Sequence, residues 1–484
     1  MKLINYYTFL HLLAKITTDS ENTTDCVKCR EKHIISKYST AKRRIIMENW
    51  KKYYEDHLVT MQEAAGKIKS GDTIWMGSTL CIPYDFMDSL ADRSDELSNV
   101  TLLGNMYLAP NKILMDPSYK KSFHTISFFA NVLERMAAQM NNIDFHSAPY
   151  GTLIDAVTKV YKANVVAIEV CPPDEDGYCN VGVLGTNFTP NIIRNDCVKT
   201  RIAVVNSYQP VAHGNAELTK LPLSMFDYIV ENHHDIPSLP VAPPTEFDKV
   251  IAEQIMPYIN DGDTIQIGMG GLGNQIAYDL MNKKDLHVFT EIGTDAMIDL
   301  AEAGIVKDIK MAGAFGSKEL YKWLGEHGDI VTLLDVNDVI TPEAVAKVDN
   351  IVAINSTFMI DITGQACSEA QGIRQYSAVG GSFAFLSGAP RAKNGRSFLC
   401  LRSTYTDKAG QTRSNIVAAL PEGSIVTTPR YLPQYIVTEY GVADIYLRSN
   451  KERIKALIPI AHPDFRDQLK QQAIELGLIG EDDF

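Results

Sequence analysis

Asn260-Asp261-Gly262-Asp263-Thr264-Ile265-Gln266-Ile267-Gly268 is the stretch that decides the fold. A helical segment leads into a Gly-Asp-Thr turn, a short strand follows, and a glycine ends it. The same order occurs earlier, at Lys69-Ser70-Gly71-Asp72-Thr73-Ile74 followed by Trp75, Met76 and Gly77. A second match sets Ala163-Asn164-Val165-Val166-Ala167-Ile168 against Asp349-Asn350-Ile351-Val352-Ala353-Ile354. A third, weaker one sets Arg201 to Tyr208 against Arg396 to Thr404. The matched segments keep their order. A period of about two hundred residues is too long for a solenoid and reads as a duplicated domain. Helical patterns such as Asp248 to Ile259 alternate with short Val/Ile-rich strands, which favours mostly parallel sheets. The expected fold is α/β: two similar open α/β domains with the active site at their interface.

The boundaries follow from the repeat and the usual domain size. Residues 1–46 read as an N-terminal extension, 47–235 as the first half, 236–244 as a proline-stiffened linker, and 245–484 as the second half. In the extension, Ile4 to Leu13 is a poor signal peptide, broken by Asn5, Thr8 and His11. Cys26, Cys29 and His33 have metal-ligand spacing but lack a matching second pair. They read as chance thiols in a polar tail. Met47 is an alternative start, because an amphipathic helix from Glu48 to Ile68 runs straight into the first repeat.

Composition narrows the function. The chain has 484 residues, is 45% hydrophobic and 22% charged, and carries a formal net charge of −13. That charge argues against nucleic acid and against an anionic membrane surface. No apolar run is long enough to span a bilayer. Eight scattered cysteines suggest no disulfide framework. A reducing cytoplasm is the expected compartment.

Glu291 is the leading candidate for chemistry. It ends the apolar run Leu286 to Phe289, and a helix over Ala296–Ala303, opened by Thr294 and Asp295, follows it. A carboxylate there lies in the crevice where open α/β sheets bind ligands. At the matching place the first half has Leu103-Gly104-Asn105, with no carboxylate. The plainer reading is a loop acid or helix cap, and the repeat's asymmetry tilts against it.

Two glycine loops accompany this carboxylate. Gly268-Met269-Gly270-Gly271-Leu272-Gly273 fits the dinucleotide pattern G-x-G-x-x-G before a helix over Asn274–Met281. Glu291 then stands where such a fold places its ribose-binding acid, so a nicotinamide-dependent oxidoreductase is a rival reading. The same glycines also let backbone N–H groups approach a thioester oxygen or a phosphate. Val379-Gly380-Gly381-Ser382 is the second loop, weak by itself. Glu439 follows a short apolar strand and alone reads as a loop acid. Cys171-Pro172-Pro173-Asp174-Glu175-Asp176-Gly177-Tyr178-Cys179 reads as a solvated turn rather than a cation loop. Serine-elbow, Walker and H-E-x-x-H patterns are missing. A carboxylate nucleophile beside glycine loops remains.

Taken together, CPPDEDGYCNVG, GMGGLG, HVFTEIGTDAMIDLAEAGIV, SAVGGSFAFLSGA, IVTEYGVAD and IAHPDFRDQL resemble the acetyl-CoA hydrolase/transferase family of CoA-transferases. The likeness is greatest to its 4-hydroxybutyrate and butyryl-CoA:acetate branch, and it covers Met47 to the C-terminus. It implies two similar α/β domains in a homodimer or higher homo-oligomer. It implies Glu291 as the catalytic glutamate, Glu439 as a second active-site glutamate, and Gly268, Met269, Gly270, Gly271 and Leu272 as the CoA-contacting segment. Gly380, with Gly381 beside it, is implied as an N–H donor near the thioester. The reaction implied moves CoA between acetyl-CoA and a short-chain carboxylate through a glutamyl–CoA thioester, with CoA as substrate, no permanently bound cofactor and no metal. Hydrolysis on the same scaffold is the near alternative, and a non-catalytic CoA-binding subunit is a further one.

The chain departs from that family pattern at Ala384, where close relatives carry aspartate, and at Ile340 and Thr341, where they often carry His or Asn before the proline. The loop Gly77-Ser78-Thr79-Leu80-Cys81-Ile82-Pro83 lacks the histidine of 4-hydroxybutyrate enzymes. These changes predict a less polar acid pocket, suited to butyrate or propionate more than to a hydroxy acid.

Overall fold

The computed structural model describes residues 50–239 and 243–484. The Cys26–Cys29–His33 cluster, the 1–46 tail and the Met47 start lie outside the described residues, as does the middle of the proline-rich segment. His57–Asp174 and Tyr178–Phe484 form one compact unit that contains both halves of the repeat. In the other unit, Trp50 Nε1 donates to Glu175 O at 3.1 Å.

Both Gly-Asp-Thr turns form as the repeat predicts. Gly71 has φ +85° and Gly262 φ +79°, conformations that disfavour any side chain. Asp72 accepts the Lys69 N–H and Asp263 the Asn260 N–H, each at 2.7 Å. From these turns start β1 (Thr73–Ser78) and, in the second half, β8 (Thr264–Ile267). In the first half β2 (Val100–Asn105), β3 (Phe123–Ser127), β4 (Asp144–Phe145), β5 (Val165–Val170), β6 (Thr200–Val205) and β7 (Tyr228–Glu231) complete a sheet of order β4-β3-β2-β1-β5-β6-β7. All its pairs are parallel.

The second half repeats this order. Strands β9 (Leu286–Gly293), β10 (Val306–Ala314), β11 (Val331–Leu333), β12 (Ile351–Ser356), β13 (Arg396–Cys400), β14 (Tyr435–Thr438) and β15 (Gly441–Asp444) give β11-β10-β9-β8-β12-β13-β14-β15. Only the added edge strand β15 is antiparallel. The three sequence matches therefore fall on equivalent strand pairs: β1 with β8, β5 with β12, and β6 with β13. In each sheet the chain reverses its direction of winding beside the first strand, which opens a ligand crevice at the strands' C-terminal ends.

The halves share a core. Leu80, Val183 and Leu184 from the first pack in one apolar cluster with Ile265, Met311 and Leu333 of the second. Backbone bonds cross as well: Leu333 N–H to His213 O at 2.7 Å and Val336 N–H to Asn187 O at 3.1 Å. Before the second sheet, Ile236 is buried and Leu239 N–H donates to Gly316 O at 2.9 Å.

The structure corrects one helix. The expected run Glu48–Ile68 is broken: residues 50–57 are helical, Leu58 bridges to Ile229, and α1 (Met61–Ala65) starts anew. The reason is local. Thr60 and Glu63 form a reciprocal capping box, which stabilises a helix start at that point.

Candidate active site

Strand β9 presents Glu291. Its parallel pairing with β10 continues to Gly293 opposite Ala314, so Glu291 lies within the strand rather than at the end of its apolar run. Backbone pairing outlasts the apolar pattern here. Helix α4, Ala296–Glu302, follows without a side-chain cap. Asp295, expected to open it, instead accepts from the Ser317 N–H and hydroxyl.

Register places the repeat's asymmetry residue by residue. Thr73 pairs with Thr101, and its counterpart Thr264 pairs with His287. Four positions on, the first half has Asn105 and the second has Glu291. One fold position thus holds an amide in one half and an acid in the other.

The carboxyl of Glu291 is enclosed but not sealed. Gly381 N–H donates to its Oε2 at 3.0 Å. Burial pushes its pKa up to about 7, with the Gly381 bond pulling the other way. A Cβ on Gly381 would lie 2.2 Å from Oε2 and 2.7 Å from Ile340 Cγ2, so only glycine allows this approach. Ile340, one of the departures noted above, is therefore an apolar wall beside the carboxyl. Gly380 turns the chain at φ +56°, and its carbonyl accepts the Tyr150 N–H of the first half at 3.0 Å. Phe129, also of the first half, packs over Gly380. The N–H that reaches Glu291 is thus that of Gly381, not of Gly380. Glu134 is likewise pushed up to about 7 by burial, but Ser127, Asn131 and Tyr107 saturate it as a helix cap.

The first glycine loop begins its helix early. Helix α3 spans Gly271–Leu280, three residues ahead of the predicted Asn274. Gly273 makes this possible: a Cβ there would lie 2.1 Å from Gly268 O. Gly271 similarly fits under Asp248. Gly268 and Gly270 differ, since a Cβ on either would meet nothing within 4 Å. Gly270, at φ +114°, is the N-cap and has no side chain to satisfy the first N–H groups of α3. Those groups suit an anionic or carbonyl oxygen.

Met269 lines one cleft and Leu272 an adjoining one. The first, of about 540 Å³, also meets Met106, Phe129 and Tyr376. The second, of about 890 Å³, also meets Arg402 and Lys408. Ser356, Thr357 and Phe358 border both. Glu439 follows β14 in the turn to β15, and both its oxygens bind Ser403, at 3.0 Å to N–H and 2.5 Å to hydroxyl. The structure brings Gly381 into direct contact with Glu291, with Gly380 next to it in the turn, and leaves Glu439 bound to Ser403. The Cys171–Cys179 segment is a turn closed by Asp174, which pairs with Lys220. Burial pushes the Cys171 thiol up to about 12.

Phe129 and Tyr150 were missed in the sequence. No local pattern marks either one. They reach the site through contacts between the halves, and a single chain carries no signal for those.

Fold and geometry define an α/β scaffold with a buried carboxylate held by one glycine turn, on a strand whose neighbour leads into a second glycine loop. Models of the acetyl-CoA hydrolase/transferase N-terminal and C-terminal domains match residues 41–240 and 316–473. Butyryl-CoA:acetate CoA-transferase of Anaerostipes caccae is 34% identical, over 88% of this chain and 97% of that protein. 4-Hydroxybutyrate coenzyme A transferase of Clostridium kluyveri is 30% identical, over 87% and 98%. The crystal structure of RipA from Yersinia pestis superposes with a TM-score of 0.80 at 28% identity, covering 89% of this chain and all of that one. The chain belongs to the acetyl-CoA hydrolase/transferase family and is an enzyme of the CoA-transferase kind. The nicotinamide reading of the glycine pattern is set aside. No helix among the described residues is long and apolar enough to cross a membrane.

A pH dependence follows from the carboxyl's environment. If Glu291 attacks as the anion, turnover rises with pH through about 7 and is lost below it. Stability runs the other way. Glu291 binds its proton more tightly folded than at its ordinary 4.5, so its contribution is full below that value and declines as pH rises toward 7. Glu291→Gln should flatten that slope in urea titrations at pH 5 and pH 8. An unchanged slope contradicts the assignment.

Proposed function

We propose that this enzyme moves CoA between acetyl-CoA and a short-chain carboxylate, butyrate, propionate or 4-hydroxybutyrate, through a thioester on Glu291. The observation that carries the proposal is Glu291 itself: a carboxyl pushed up to about 7, with one N–H donor at 3.0 Å. Its anion attacks the acyl carbonyl, and CoA leaves as thiolate, giving an acyl–glutamyl anhydride. The thiolate attacks the Glu291 carbonyl and expels the acyl group as free carboxylate, leaving glutamyl–CoA. An incoming carboxylate attacks that thioester and displaces the thiolate again. The thiolate then takes the new acyl group and frees Glu291. This is covalent catalysis and requires ping-pong kinetics.

Each attack places charge on an oxygen. Gly381 N–H and the open N–H groups at Gly270 and Gly271 are the natural stabilisers, with Gly380 in the same turn. The adjoining clefts lined by Met269 and by Leu272 suit an extended substrate, and Arg402 and Lys408 suit its phosphates. Ile340 and Ala384 favour an unsubstituted acid over a hydroxy acid. Glu439 is read as the second active-site carboxylate. CoA enters as substrate, and the same reading places the enzyme in the cytoplasm as a homodimer or higher homo-oligomer.

The test is direct. Acetyl-CoA alone, followed by borohydride, should convert Glu291 to an alcohol, located by peptide mass spectrometry between His287 and Asp295. Double-reciprocal plots should be parallel. An unmodified peptide with intersecting lines rules the mechanism out. A modified peptide with acetate and free CoA released over many turnovers, beyond the one acetate per site that forming glutamyl–CoA frees, in the absence of any acceptor acid makes the enzyme a hydrolase instead.

A further inference from the structure

Tyr150 joins the two halves of the site by both its ends. Its backbone N–H donates to Gly380 O at 3.0 Å, in the turn whose next residue holds Glu291. Its hydroxyl donates to Asn105 Oδ1 at 2.8 Å, and Asn105 is the register counterpart of Glu291. The ring is buried between Phe129 and Phe188, at centroid distances of 6.3 and 5.6 Å. Burial first, and the Glu291 charge second, raise its phenol well above the ordinary value. The hydroxyl therefore stays protonated and remains a donor.

Asn105 is held on its other side too. Its Nδ2 donates to Ser78 Oγ at 3.0 Å, and Ser78 Oγ lies 3.2 Å from Thr79 Oγ1. With Oδ1 given to Tyr150 and one N–H to Ser78, the amide cannot turn, and one N–H remains. The strand ends bearing this network are strained: Thr79 has φ +53° and Met106 φ +58°, conformations that cost non-glycine residues energy. Met106 lines the 540 Å³ cleft that Phe129 also borders. The network thus ends where that cleft begins.

We propose that Tyr150 is a positioning residue. It locks the Asn105 amide and the Gly380–Gly381 turn in one fixed relation, so that the acyl group meets a preset wall opposite Glu291. The inference rests on Glu291 as nucleophile. Tyr150 itself forms no bond to substrate. Its effect passes through Asn105.

The test is a double-mutant cycle on the full chain with Tyr150→Phe and Asn105→Ala. Tyr150→Phe keeps the ring and its packing and removes only the hydroxyl. It should lower kcat roughly ten- to a hundred-fold, with KM for acetyl-CoA within about twofold, because misplacement slows the chemical step more than binding. Adding Asn105→Ala to Tyr150→Phe should change kcat little further, since the second loss is already contained in the first. Fully additive effects, or a Tyr150→Phe enzyme with normal kcat, overturn the proposal. Should Tyr150→Phe fail to fold, Asn105→Ala alone must show the same split between kcat and KM, and an Asn105→Ala enzyme with normal kcat overturns it equally. Borohydride labelling of Glu291 in the unmodified enzyme separates the two readings. Label with additive variants rejects Tyr150 alone, whereas no label rejects the nucleophile.

Discussion

Glu291→Ala should lose at least about a thousand-fold in transfer rate while the protein stays folded, the scale expected for removing a covalent nucleophile. The fold is expected to survive because the side chain contributes little that holds it. Among the described residues its one hydrogen bond is to the Gly381 N–H, and its burial opposes its own charge. Truncation leaves that N–H without a partner, and water reaching the half-open site can replace it. Glu291→Gln is the companion variant: it retains an acceptor for Gly381 yet cannot form a stable anhydride. Both should be inactive at pH 8, with far-ultraviolet spectra near that of the unaltered enzyme and melting temperatures at or above its own, because neither carries the buried charge that costs it stability there. Near-normal turnover in either variant would remove Glu291 from the mechanism.

The duplication was legible in the sequence because turn chemistry repeats with it. Glycine at positive φ and aspartate closing the turn are demanded by backbone geometry, so Gly71-Asp72 and Gly262-Asp263 persist where side-chain identity has drifted. Strand order then follows from the βαβ rule. The position of Glu291 was legible in the same way, as a break in that symmetry. The strand's end was not, because pairing of β9 with β10 runs past the apolar residues to Gly293. The early start of α3 was hidden for a related reason. Glycines disfavour helix interiors, but Gly273 is needed where the first turn passes Gly268 O.

What the sequence could not show is the contribution of the first half. Tyr150 and Phe129 come to the site from 230 to 251 positions before Gly380, through a bridge between Pro149 and Gly380. No periodicity or motif encodes a contact of that range. The sequence did point to Ile340 as a departure, and the structure gives it a place, against Gly381 beside the carboxyl.

Gly381→Ala should lower turnover severely although it removes no catalytic side chain. The backbone there has φ −89° and ψ −7°, the conformation that non-glycine residues adopt at the third position of type I turns. The added methyl therefore acts only through what it strikes, Glu291 Oε2 at 2.2 Å and Ile340 Cγ2 at 2.7 Å. The carboxyl must swing away, losing both its N–H donor and its line of attack. A displacement of this kind costs on the order of a hundred-fold in kcat. Gly380→Ala provides the contrast. Its Cβ would find ordinary contacts at 3.6 and 3.8 Å, and its cost is a φ of +56°, worth about 1–2 kcal/mol of stability. Gly381→Ala should thus lower turnover with a normal melting temperature, and Gly380→Ala should lower the melting temperature with a smaller effect on turnover. Single-turnover labelling of Glu291 by acetyl-CoA reads the first effect and thermal unfolding the second. If Gly381→Ala labels at the normal rate, the close approach of this turn to Glu291 plays no part in the chemistry.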